Sequence, residues 1–79
     1  MYASIKDATD LYNFGRRYVQ TGNVEELDNA VIYWEIADST VERRSVRTEF
    51  QEGVRNYSDG MIEHDRIMKE FDARTIFAN

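Results

Sequence analysis

The apolar residues of the first twenty positions recur with the spacing of an α-helix. Ser4 and Asp7 have the S-x-x-D spacing of a capping box, in which a hydroxyl accepts from early backbone N–H groups. The apolar or small residues that follow are spaced 3, 1, 3, 3 and 1 positions apart, which places them in the stripe of an amphipathic helix. They are Ala8, Leu11, Tyr12, Gly15, Tyr18 and Val19. Gly22 then stands where a left-handed residue commonly ends a helix.

The next segment contains an almost entirely apolar run at 31–37 that has two interpretations. Its β-branched and aromatic residues favour a strand locally. Asn23, however, is a typical N-cap with Glu26 three residues later, and helical periodicity continues through the run. The residues with that spacing are Leu27, Ala30, Val31, Trp34 and Ala37. The sequence therefore predicts a second helix, which forms an antiparallel hairpin with the first over residues 4–38.

A third segment begins at another capping box, formed by Ser39 and Glu42. Apolar and small residues then recur near a 3.5-residue period: Val46, Phe50, Gly53, Tyr57, His64, Met68 and Phe71. One helix over 40–76 would be about 55 Å long, more than twice the length of either preceding helix. Ser58, Asp59 and Gly60 favour a break near 57–60, with Asp59 as a possible cap of the new helix. The alternative is one continuous helix whose far half pairs with a second chain.

These patterns predict one all-α domain of three to four helices, with the hairpin at 4–38 and a long or broken helical segment at 40–76. The expected core residues are Tyr18, Leu27, Trp34 and Phe50. The length of 79 residues suits one small domain, and 13% aromatic residues argue for a packed core.

Composition excludes several classes of function. The chain has no cysteine, so disulfides and thiolate metal sites are excluded, which fits a reducing cytosol. Its net charge is −5, without the basic footprint of a direct nucleic-acid binder. The cluster Arg43, Arg44 and Arg47 is interpreted as a solvated helix face paired with Glu42 and Glu49. No apolar stretch is long enough to span a membrane and no signal peptide is expected, so a cytoplasmic location is predicted.

No catalytic constellation is expected. His64 is the single histidine and lies between Glu63 and Asp65. Neighbouring helical residues point about 100° apart, so these three side chains are not expected to converge as adjacent ligands. There is no HExxH motif and no glycine-rich phosphate loop. The sequence therefore predicts no enzyme activity, no metal and no cofactor.

Residues 8–38 resemble a tetratricopeptide repeat, the helix–turn–helix unit of many peptide-binding solenoids. The matching positions are Leu11, Phe14, Gly15, Tyr18, Gly22, Ala30, Trp34 and Ala37. In this interpretation the small residues Gly15 and Ala30 allow the first two helices to approach closely. The resemblance implies protein–peptide recognition by the first helix, through Thr9, Tyr12, Asn13, Arg16 and Gln20. Such repeats normally occur in several copies, and only one is present here.

The second helix has apolar residues on more than one side, including Ile32, Tyr33 and Ile36. Either residues 61–77 cover the two isoleucines, or they remain exposed with Tyr12 and Tyr33 as aromatic anchors for a partner. The predicted partner-binding residues are therefore Tyr12, Asn13, Arg16, Gln20 and Tyr33.

The predicted function is non-catalytic binding of a cellular protein, with inhibition or redirection of that target. Small size, acidity and high aromatic content are also typical of bacteriophage proteins that bind one host protein, an analogy at the level of composition. Two alternatives are an acidic nucleic-acid mimic that blocks a DNA-binding enzyme and a self-assembling structural protein. The second would form a homodimer through what we call the 46–71 seam, the residues between Val46 and Phe71 that recur near a 3.5-residue period.

Overall fold

The computed structural model describes the backbone of residues 5–76 and the side chains of residues 8–75. The described chain consists of four α-helices: α1 Ile5–Thr21, α2 Val24–Ile36, α3 Thr40–Tyr57 and α4 Met61–Ile76. The predicted all-α class is confirmed. The 31–36 run is helical as predicted, and the third segment is two helices rather than one.

The local signals at the α1–α2 junction act as predicted. Gly22 adopts a positive φ of 69°, and its N–H donates to the Tyr18 carbonyl at 2.9 Å. The Asn23 side chain accepts from the Glu25 N–H at 3.0 Å and caps α2. The first capping box begins at Ser4, which lies outside the described residues.

The junction between α2 and α3 contains a variant of the capping box. Its acid, Glu42, bonds the N–H of the residue before the N-cap instead of the N–H of the N-cap itself. Ser39 accepts from the Glu42 N–H at 3.1 Å, and the Glu42 carboxylate accepts from the Asp38 N–H at 2.8 Å. At the third junction, α3 ends at Tyr57 and α4 begins at Met61, which confirms the predicted break. Gly60, with φ of 134°, directly precedes α4. Gly60, and not Asp59 as predicted, therefore occupies the cap position before α4.

The core lies where all four helices meet, and its largest members are two phenylalanines. Phe50 of α3 and Phe71 of α4 are fully buried, with stacked rings 5.0 Å apart. Leu27 and Phe50 are core residues as predicted. Tyr18 and Trp34 are only partly buried against that core, so their assignment as core residues was too strong.

The tightest helix crossing joins α1 to α3. A Cβ atom at Gly15 would collide with the Phe50 carbonyl oxygen and approach the Val54 nitrogen at 3.0 Å. A Cβ atom at Gly53 would collide with the carbonyl oxygen of Tyr12. Two glycines thus let the backbones touch. The interpretation that Gly15 serves the approach of α1 to α2 was wrong, because its neighbour is α3.

The residues of the 46–71 seam pack within the single chain. Val46, Phe50, Met68 and Phe71 are buried because α4 folds back on α3. His64 is buried with them, whereas Tyr57 at the end of α3 is 44% exposed. A homodimer through this seam would have to open the core.

Tyr18 ties α1 to α4 through its phenol, which donates to the Glu70 carboxylate at 2.8 Å. Partial burial and then the hydrogen bond and charge of Glu70 raise the pKa of Tyr18. Because this pKa is higher in the folded than in the unfolded chain, its stabilising effect is complete below about pH 10. That effect is lost as the pH rises through the folded-state pKa.

Tyr18→Phe is therefore expected to make the free energy of unfolding less sensitive to pH above about 10, and to lower it by about 1 kcal/mol near neutrality. Urea unfolding at a series of pH values measures both effects. Tyr57→Phe is the control, since no described residue bonds the Tyr57 hydroxyl. An unchanged alkaline dependence in Tyr18→Phe would contradict this role of Tyr18.

Candidate functional site

Three of the predicted partner-binding residues form one hydrogen-bonded group on α1, here called the α1 cluster: Asn13, Arg16 and Gln20. The Arg16 guanidinium donates to the Asn13 side-chain oxygen at 3.3 and 3.4 Å and to that of Gln20 at 3.3 Å. Their spacing of three and four residues places them on one side of the helix. Arg16 is held in place by its neighbours, with its charge left at the surface.

Tyr12 joins the α1 cluster through two residues at the end of α3. Its ring meets the Tyr57 ring edge-on at 6.3 Å, and its hydroxyl accepts from the Asn56 amide at 3.0 Å. The guanidinium of Arg16 lies 5.9 Å from the Tyr57 ring centre. Asn56 and Tyr57 are thus site residues that the sequence interpretation missed. The near-heptad spacing assigned Tyr57 to the buried seam, and no local signal placed it beside α1.

Tyr33 does not join this group. Its ring packs edge-on against Phe14 at 5.7 Å, and its hydroxyl donates to Asp10 at 3.5 Å. Asp10 and Phe14 are each two residues from Tyr12, about 200° away around α1. The predicted binding residues therefore form two surfaces, one on each side of α1.

The outward side of α2 exposes apolar residues. Ile32 is 50% exposed and Ile36 is 69% exposed, whereas Leu27, Ala30 and Val31 face the core. The alternative in which residues 61–77 cover both isoleucines is contradicted. Spacing of three and four residues places exposed or half-buried side chains together on what we call the α2 face: Asn29, Ile32, Tyr33 and Ile36.

A third surface is a shallow cleft where α3 meets α2 and α4, here called the Arg–Trp cleft. It has a volume of about 310 Å³ and is lined by Trp34, Thr40, Arg43, Arg44, Arg47, Asp72 and Thr75. The guanidinium of Arg43 lies over the Trp34 ring at 4.6 Å. Arg47 makes a bidentate pair with Asp72 of α4, at 2.7 and 2.8 Å.

The arginines do not form the predicted helix face paired with Glu42 and Glu49. Glu42 is buried at the start of α3 and bonds the Asp38 N–H. Arg43 and Arg47 instead contact α2 and α4. These contacts join residues up to 25 positions apart in the chain, so helical spacing alone gave no signal for them.

His64 is held on both sides by side chains. It is buried, with Nε2 at 3.2 Å from the Gln51 amide and Nδ1 at 3.0 Å from the Asp65 carboxylate. Asp65 thus reaches the His64 ring although it is the next residue along the helix, but Glu63 does not join them, because its carboxylate accepts from the Asp59 N–H. Among the described residues, no three histidine, aspartate or glutamate side chains are grouped so that they could hold a metal ion.

Within residues 5–76, no helix is both long and apolar enough to cross a membrane. No protein-family model, no curated protein and no solved structure matches this chain.

Proposed function

We propose that this protein is a non-catalytic interaction protein that binds one target protein through the α2 face and thereby inhibits or redirects it. The observation that carries the proposal is the exposure of Ile32 and Ile36 on a helix whose other side is packed into the core. Neighbouring exposed apolar residues on one helix face are typical of protein-binding surfaces.

The α2 face is suited to binding because it is held rigid from behind. Leu27, Ala30 and Val31 fix α2 against the core. A partner would therefore meet a preformed surface, and binding would cost little ordering of the backbone. Full burial of an exposed isoleucine side chain contributes about 1.5–3 kcal/mol, and Ile32 and Ile36 still expose 50% and 69% of theirs. Together they can therefore contribute roughly 2–4 kcal/mol, a part of the roughly 8 kcal/mol of a micromolar affinity.

Each of the two surfaces contains or adjoins a tyrosine: Tyr33 lies on the α2 face, and Tyr12 lies beside the α1 cluster. Tyrosine is enriched among the residues that dominate binding energy. The Tyr33 ring is fixed by Phe14, and the Tyr12 ring by Tyr57, so neither has to be ordered on binding. In the proposal Tyr33 belongs to the apolar contact of the α2 face, while Tyr12 and the α1 cluster form a separate polar surface on the other side of α1.

The isoleucines of the α2 face are tested by Ile32→Gln combined with Ile36→Gln. Glutamine keeps the helix propensity and the net charge, and both side chains are exposed, so the thermal melt should change little. The tagged variant is expected to lose a protein that the wild-type chain captures from cytosolic extract at high salt. Met61→Gln with Ile62→Gln is the matched control, since these residues are 65% and 88% exposed on α4.

The captured protein is then purified and titrated against each variant by calorimetry. Equal affinity of the α2-face variant and the control would show that the α2 face is not the binding surface. Capture of many DNA-binding enzymes that salt releases would favour the acidic nucleic-acid mimic. Self-association alone would favour the structural alternative.

A further inference from the structure

We propose that the Arg–Trp cleft binds an acidic peptide segment, with carboxylate or phosphate oxygens held by the guanidinium groups of Arg43 and Arg44. This inference rests on the proposed function, because it states the chemistry of a segment of the partner. It concerns a different surface from the α2 face, so the two can fail separately.

The first support is the arrangement of one stripe of α3. Thr40, Arg43, Arg44 and Arg47 are at positions i, i+3, i+4 and i+7, and all four line the same cleft. Trp34 of α2 lines the same cleft. Three arginine side chains thus line one concave surface together with an aromatic ring.

The second support is that guanidinium N–H groups in the cleft remain available as hydrogen-bond donors. Arg47 uses Nε and one terminal nitrogen on Asp72, so this pair is internally satisfied. Arg43 uses Nε on the Trp34 carbonyl at 3.4 Å. Its two terminal nitrogens, and the whole exposed guanidinium of Arg44, bond no other described residue. Guanidinium groups that line one cleft and keep free N–H donors suit oxyanions, which accept several charge-assisted hydrogen bonds.

The third support is the contrast in charge between the cleft and the rest of the chain. Three arginines and Asp72 give the cleft a charge of +2. The whole chain carries −5, so the residues outside the cleft carry −7. A short acidic segment placed in the cleft avoids that negative surface. A long polyanion such as nucleic acid would extend over it and be repelled, which favours the peptide.

Trp34 provides a direct measurement, because it is the single tryptophan of the chain and lines the cleft. Its fluorescence reports any ligand that moves the Arg43 guanidinium from its ring. The probe is a capped peptide of six glutamates without tryptophan. A second capped peptide places one phosphoserine among glutamines, which distinguishes phosphate from carboxylate recognition. A peptide of six glutamines is the neutral reference.

The test variant is Arg44→Gln, because this side chain is exposed and bonds no described residue, so its loss should leave the fold intact. It is expected to weaken binding of the acidic peptides about tenfold, as for the loss of one charge-assisted hydrogen bond. Arg55→Gln is the matched control. It removes the same charge from an exposed position of α3 outside the cleft, and should change the affinity less than twofold.

The proposal is supported if either acidic peptide gives a saturable change in Trp34 emission that salt weakens and Arg44→Gln reduces. It is overturned if neither binds more tightly than the glutamine peptide, or if Arg55→Gln weakens binding as much as Arg44→Gln. Tighter, Arg44-dependent binding of inorganic phosphate alone or of a single-stranded oligonucleotide would also overturn it. A further outcome is that the acidic peptides bind the cleft while the variant with Ile32→Gln and Ile36→Gln still captures the partner from extract. That result would refute the α2 face as the binding surface and would leave the cleft proposal standing.

Discussion

Replacing both Gly15 and Gly53 by alanine is expected to destabilise the domain severely. Alanine within a helix normally stabilises it by about 1 kcal/mol relative to glycine. At these positions the new Cβ atoms would meet the backbone of the facing helix at the α1–α3 crossing. A backbone carbonyl cannot rotate aside as a flexible side chain can, so α1 and α3 would have to separate.

The cost is large because this crossing closes the core. Leu11 of α1 and Phe50 of α3 are both fully buried. Overpacking at a single site commonly costs about 1–3 kcal/mol, and two reciprocal clashes add to one another. A domain of this size has a total stability of roughly 4–12 kcal/mol, so the double change removes much of it.

Circular dichroism during urea and thermal unfolding measures this loss, with each single alanine variant alongside the double one. Thr48→Ala is the control, because it raises helix propensity at an exposed position of α3 without a facing backbone. It should leave stability unchanged or slightly higher. A raised melting temperature in the glycine double variant would mean that α1 and α3 do not cross at these residues.

The second large effect is expected from Phe71→Ala, at about 3–5 kcal/mol of destabilisation. Phe71 is fully buried and stacks on Phe50, so its removal leaves a cavity at the point where α4 joins the other helices. The ring stack itself adds about 0.5–1.5 kcal/mol to the lost burial. Because Phe71 holds α4 against α3, we expect the last helix to lose its packing first.

Trp34→Ala is the informative comparison. The sequence pattern assigned Trp34 to the core, and on that basis its removal would unfold the domain. In the structure the ring is only partly buried and Arg43 covers one side of it. We therefore expect a smaller loss than for Phe71→Ala in the same urea experiment. A larger loss for Trp34→Ala would place the centre of the core at α2 and contradict the described packing.

The two proposed binding surfaces lie on opposite sides of α2. Trp34 faces the Arg–Trp cleft, whereas Ile32 and Ile36 face outward, each two residues and about 200° from it. A partner that used both surfaces would therefore pass around the C-terminal end of α2. An apolar contact on one side and an acidic segment on the other would then fix its orientation.

The sequence by itself determined the junctions before and after α2. Gly22, Asn23 and Ser39 act through hydrogen bonds to residues within four positions, so their effect is visible without the fold. The break at 57–60 follows likewise from residues that favour a turn. The apolar spacing also identified which side of each helix turns inward. Asn13, Arg16 and Gln20 are three and four residues apart on one helix, so their proximity also follows from the sequence.

Only the tertiary structure decided which helix each inward side meets. Gly15 faces α3 rather than α2, and Arg47 pairs with Asp72 rather than with Glu49. Tyr57 joins Tyr12, and no helix covers Ile32 or Ile36. The physical reason is that helical periodicity fixes directions around one axis, whereas the neighbours depend on the crossing of several axes. Those crossings are set by the packing of all four helices at once.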